Sequence, residues 1–118
     1  MAVTIRHKQD AGYIEVSCTG DVDRQQADNA IAEIVRLQEK TGCNILLADL
    51  VEMHHAPDQM DLYEVALSYP PYIRTALILP RDSNFDHKFF EDTARNRGRS
   101  ISSYTDRQAA LDWLKEES

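Results

Sequence analysis

The chain has 118 residues, which suits one domain around one core and leaves too little for two. Apolar residues make up 42% and charged residues 28%, the balance of a folded globular chain and not of a disordered one. The formal net charge is −7 with the carboxylates spread along the chain, so phosphate backbones and anionic membrane surfaces are repelled and no nucleic-acid partner is expected.

The elements follow in chain order. "VTIRHK" (3–8) is rich in β-branched residues, and "GYIEVSCTG" (12–20) alternates, with Ile14, Val16 and Cys18 on one face. The "QDAG" between them has the makeup of a hairpin turn, so the two strands pair antiparallel. From 21 to 42 the period changes. Ala27, Ala30, Ile31, Ile34 and Leu37 share one helical face, Asp23 and Gln26 have capping-box spacing, and Gly42 can end the helix in a left-handed conformation.

"NILLADL" (44–50) is apolar on both faces apart from Asp49, as a central strand covered on two sides requires. "VEMHHAP" then reads as a polar crossover loop. "PDQMDLYEVALSY" (57–69) has helical spacing, starts at Pro57 and is stopped by Pro70 and Pro71. "YIRTALILP" (72–80) is a second two-faced strand. "SNFDHKFFEDTARNRG" (83–98) is a helix with an acidic start and a basic end, burying Phe85, Phe89, Thr93 and Ala94. "SISSYT" (100–105) is a half-polar strand, and 106–118 closes the chain as a helix capped by Thr105 or Asp106, burying Ala110, Trp113 and Leu114.

The order β-β-α-β-α-β-α-β-α predicts one α/β domain over 1–118. Its five-stranded sheet is mostly parallel, with the first strand antiparallel, and carries four helices. The third and fourth strands should be central, with the second and fifth nearer the edges. Cys18 and Cys43 form no CxxC pair and lie in or beside apolar stretches, so each is read as a small buried hydrophobe. "MAVTIRHKQD" becomes charged at once, unlike a secretory leader, and no apolar run approaches the roughly 20 residues of a spanning helix; the expected compartment is the cytoplasm.

In the last third the residues become specific. "FFEDTARNRGRSISSYTDRQAALDWL" (89–114) resembles the C-terminal signature of bacterial SpoIIAA-like proteins, small domains grouped with the STAS and CRAL-TRIO folds. The matching features are Phe90, the Ala94-Arg95-Asn96-Arg97-Gly98 turn, Asp106, Ala110 and the Trp113-Leu114 ending, and "IRTALILP" resembles the preceding strand. The resemblance implies a STAS-like fold. It also implies one of several tasks: binding partner proteins under control of a phosphorylated serine, as in anti-sigma-factor antagonists; holding lipid, as in CRAL-TRIO domains; or binding regulators or nucleotides. That switch serine would lie after the central strand, yet no serine or threonine occurs between Thr41 and Ser68, so the switch is not carried over.

The polar stretch 49–58 is the conspicuous site candidate. Asp49, Glu52, His54 and His55, with Arg81 beyond the neighbouring strand, would rim the carboxyl ends of the parallel strands, where open α/β sheets hold ligands. Adjacent histidines do not readily turn both rings toward one ion, and metal pairs favour i,i+4 on a helix or i,i+2 on a strand. The chain has no phosphate-binding glycine loop, no nucleophile elbow and no Cys–His motif. A second candidate is apolar: Met60 and Tyr63, with Tyr69 and Tyr72 around the two prolines, would line a surface groove. The reading is therefore a non-enzymatic binding or regulatory module, self-associating as a homodimer, without catalytic residues, metal or cofactor. A binder of lipid or another apolar small molecule is the alternative, and a small enzyme or metal protein using the 49–58 loop is the third.

Overall fold

A computed structural model of the chain describes residues 3–21, 23–55, 73–79, 87–96 and 100–116. Its strands are β1 (Val3–Lys8), β2 (Tyr13–Asp21), β3 (Ile45–His55), β4 (Arg74–Ile78) and β5 (Ser100–Tyr104). Its described helices are α1 (Arg24–Thr41), α2 (His87–Asn96) and α3 (Arg107–Lys115). The sheet order is β1-β2-β3-β4-β5, with β1 antiparallel to β2 and every other neighbour parallel. β3 is central, as its two-faced apolar run demands, and β1 and β5 are the edges. The expected helix over 57–69 lies outside the described residues.

Local chemistry sets the element ends. The "QDAG" turn closes with the Ala11 and Gly12 N–H groups donating to Lys8 O at 3.0 and 2.8 Å, and Gly12 takes φ 84° there. Asp23 caps α1: its Oδ1 accepts from Gln26 N at 2.8 Å, while Gln26 Oε1 accepts from Asp23 N at 3.0 Å. Gly42 ends α1 at φ 76°, donating its N–H to Gln38 O at 2.8 Å. Asp106 caps α3 by accepting from Ala109 N at 2.9 Å.

The sheet has a core on each face. On one, Ile14, Val16, Leu46, Ala48, Leu77 and Ile101 pack with Ile34 of α1. On the other, Leu47, Ala76 and Ile78 pack with Ala110 and Leu114 of α3, and Trp113 is partly buried beside them. The alternation along β3, with Leu46 and Ala48 on one side and Leu47 on the other, follows from the two-residue period of a strand. The side chains of Phe89, Thr93 and Ala94 lie outside the described residues, as do Phe85 and Gly98.

Two polar contacts hold the outer helices. Arg74 lays its guanidinium 3.7 Å from the Trp113 ring centroid and donates from Nη2 to Trp113 O at 2.7 Å, tying the last turn of α3 to the start of β4. Glu91 of α2 accepts from the Ser103 N–H at 3.0 Å and from the Ser103 hydroxyl, so a backbone donor on the β5 edge is engaged by a helix.

The prediction differs from the structure at the end of β3. Residues 51–55, read as loop, belong to the strand. β2 continues to Asp21 and supplies a pairing partner as far as His55. The ladder survives because its register shifts twice, between Ser17 and Thr19 and between Gly20 and Asp21, with β3 carrying the extra residue each time. The polar residues of "VEMHH" mark 51–55 as loop by hydropathy, but backbone pairing at bulges tolerates them.

Candidate functional site

The carboxyl ends of β2, β3 and β4 and the start of α3 enclose an open cleft of about 460 Å³. Its lining includes Ser17, Cys18 and Thr19 from β2, and Asp49, Val51 and Glu52 from β3. Ile78 of β4 and Thr105, Asp106 and Arg107 at the α3 N-terminus complete it. This is where a parallel sheet leaves its strand ends free for a ligand.

The first bulge of β3 shapes the cleft. Ser17 pairs with Asp49 and Thr19 with Glu52, so the extra residue turns Glu52 toward the same side as Asp49. Asp49 stabilises the bulge by accepting from the Val51 N–H at 3.1 Å through Oδ1. Val51, displaced from regular alternation, is 42% exposed, the one exposed large hydrophobic side chain among the described residues.

Arg107 occupies the first turn of α3, where the helix dipole disfavours a cation. Two carboxylates compensate. Its Nη1 donates to Asp49 Oδ2 at 3.3 Å and its Nη2 to Glu15 Oε1 at 3.1 Å, and Lys8 Nζ lies 3.8 Å from the same Glu15 oxygen. Burial works against the Arg107 charge, but the hydrogen bond and charge of Glu15, with a contribution from Tyr13, outweigh it and hold the guanidinium above its ordinary value. The group links three elements, β2, β3 and α3, across the lip of the cleft. With Arg107 44% exposed at the side chain, the pairing fixes geometry more than it adds stability.

Cys18, one of the lining residues, is buried and belongs to the core cluster on the α1 face of the sheet. Burial, and then the nearby Asp49 charge, push its thiol up to about 11, so it is protonated at neutral pH and is not a ready nucleophile. Cys43 is only partly buried, and its thiol contacts the Gly12 and Ile45 carbonyls at 3.5 and 3.7 Å.

Of the residues singled out from sequence, Asp49 and Glu52 meet in the cleft. His54 and His55 lie on β3 at the level of the backbone, and their side chains are outside the described set. Met60, Tyr63, Tyr69, Tyr72 and Arg81 also lie outside the described residues. Among the described residues no three His, Cys, Asp or Glu side chains gather as a metal centre requires. Sequence reasoning missed Glu15, Ser17 and Arg107. A signal for Arg107 was present: a cation directly after the Asp106 cap runs against the helix dipole and calls for carboxylates nearby.

No family model matches the chain, and no curated protein matches it by sequence. Solved structures do. An uncharacterized protein of the DUF3478 family with a SpoIIAA-like fold, from Shewanella loihica PV-4, aligns with a TM-score of 0.59 and 19% identity over 96% of this chain and 92% of its own. The anti-sigma factor antagonist SpoIIAA in its unphosphorylated form aligns with a TM-score of 0.67 and 14% identity over 99% of both chains. The chain has a SpoIIAA-like (STAS) fold. At these identities the likeness is one of fold. Among the described residues no helix is long and apolar enough to cross a membrane.

Proposed function

We propose that this SpoIIAA-like domain is a non-enzymatic binding and regulatory module that engages a protein partner through the cleft at its strand ends. The observation that carries the reading is the state of Asp49. One oxygen accepts the Val51 N–H and the other pairs with Arg107, so the best-placed carboxylate serves the architecture of the rim and is not held as a general base. The buried, protonated thiol of Cys18 points the same way. Around them the exposed Val51, the exposed Glu52 and the hydroxyls of Ser17, Thr19 and Thr105 offer an apolar point within a polar rim, the anatomy of a protein-binding surface. Control by a phosphoserine in the segment after β3 is not part of the reading, because the sequence has no serine or threonine between Thr41 and Ser68. An apolar ligand would depend on Met60, Tyr63, Tyr69 and Tyr72, whereas the cleft rim carries Asp49, Glu52, Asp106 and Arg107.

The test is affinity capture with the wild-type chain, Glu52→Lys at the rim and Arg36→Glu on the exposed face of α1. The expected result is a heterologous protein retained by the wild type and by Arg36→Glu and lost with Glu52→Lys. Turnover of an ester or phosphoester panel that vanishes in Asp49→Asn would overturn the reading.

A further inference from the structure

The register of the β1–β2 pair puts Thr4, Arg6 and Lys8 opposite Ser17, Glu15 and Tyr13, so these side chains share one face of the sheet. It is the face that α3 covers further along, over β3, β4 and β5. Over β1 and β2, no described element covers it beyond the Arg107 side chain of α3, which reaches Glu15. A groove of about 250 Å³ runs there, lined by Thr4, Arg6, Lys8, Glu15 and Ser17. Ser17 also lines the strand-end cleft, so groove and cleft form one continuous surface.

The two halves of this surface differ in charge. The groove half carries Arg6 and Lys8 against one carboxylate, Glu15, which Lys8 shares with Arg107; Arg6 is exposed with no ion pair among the described residues and leaves this half basic. The cleft half carries Asp49, Glu52 and Asp106 against Arg107, whose charge is already shared between Asp49 and Glu15. A patch with adjacent basic and acidic halves is complementary to itself under a two-fold rotation about their junction. Two acidic chains of net charge −7 repel at long range, and only such a local match orients them.

We propose that a second copy of this chain docks here as an isologous dimer, with Arg6 and Lys8 of each protomer over the Glu52 side of its partner's cleft and a two-fold axis near Ser17. Val51 sits within the covered acidic half and supplies the apolar contact. The inference rests on the cleft being a binding surface and names a second copy as an occupant. A heterologous partner of the cleft would then compete with self-association.

The experiment is sedimentation velocity on the purified full chain. It compares wild type, Arg6→Glu, Glu52→Lys and the double variant, each at low and high salt. Raising salt from about 0.01 to about 1 M shortens the screening length from about 30 to about 3 Å. The expected result is a low-salt dimer whose dissociation constant rises by at least about tenfold in high salt and in each single variant, because each reversal places like charges opposite at both symmetric contacts. The double variant restores the opposite-charge pairing and returns to within a few-fold of wild type. Both positions are exposed, so unchanged circular dichroism shows that the fold is retained. A monomer at low salt, or a dimer indifferent to the reversals, overturns the proposal. A monomer that still captures a foreign protein through Glu52 overturns the dimer and leaves the binding cleft standing; a dimer that captures nothing does the converse.

Discussion

Replacing Arg74 tests what holds α3, and with it Arg107, in place. The guanidinium makes a charge-assisted hydrogen bond of 2.7 Å to the Trp113 carbonyl, a type contributing about 1.5–3 kcal/mol. Its stacking 3.7 Å from the Trp113 centroid adds about 0.5–1 kcal/mol at a partly exposed site. Against these, Arg74 Nε is buried with no hydrogen-bond partner among the described residues, a cost of about 1–3 kcal/mol that any truncation relieves. The difference, with the lost packing of the stem, leaves Arg74→Ala destabilised by about 2 kcal/mol. Arg74→Met keeps the stem, removes the unpaired Nε and loses about 1 kcal/mol. Trp113 is the sole tryptophan, so urea unfolding followed by its fluorescence reads the contact directly, and the alanine variant should melt roughly 8 °C lower. Equal stability of Arg74→Ala and wild type would refute the tether, and Met falling below Ala would refute the cost assigned to Nε.

Three further outcomes follow from the same geometry. Burial, and then the Asp49 charge, keep the Cys18 thiol protonated in the folded state up to about pH 11, above the ordinary range of a free thiol. Its raised value means full stability below pH 9 and a loss of up to about 2–3 kcal/mol as pH climbs to 11, a slope that Cys18→Ala should flatten in pH-dependent urea titrations. The same burial predicts slow alkylation of Cys18 by iodoacetamide at pH 8 until the chain is unfolded, which mass spectrometry of the labelled peptide would check. Asp23→Ala removes the bond from Gln26 N–H to Asp23 Oδ1, leaving only the backbone N–H of residue 23 on Gln26 Oε1, and should cost about 1 kcal/mol, with Asp23→Asn losing less; equal midpoints in urea for all three chains would count against the cap.

Legibility varied along the chain for physical reasons. The antiparallel opening pair was readable because a four-residue turn leaves no length for a crossover, and its register follows from the alternation of Ile14, Val16 and Cys18. The α1 limits were readable because Asp23, Gln26 and Gly42 satisfy backbone groups locally. The end of β3 was not. From Val51 to His55 the chain carries polar and charged residues that read as loop, and only pairing with the far end of β2 through two bulges makes them strand. That error also placed the conspicuous residues together as one loop, when the bulge instead joins Asp49 and Glu52 to a cleft shared with α3.

What sequence alone determined is therefore the described elements, their order and the two-sided burial of β3 and β4, because periodicity and capping act over a few residues. The tertiary structure decided which charges meet. Glu15 and Arg107 stand 92 positions apart, and Asp49 and Arg107 stand 58 apart, yet one guanidinium joins them. No local pattern encodes that junction. It arises from the sheet order that sets β2 beside β3, and from the packing of α3 that carries its first turn back over both.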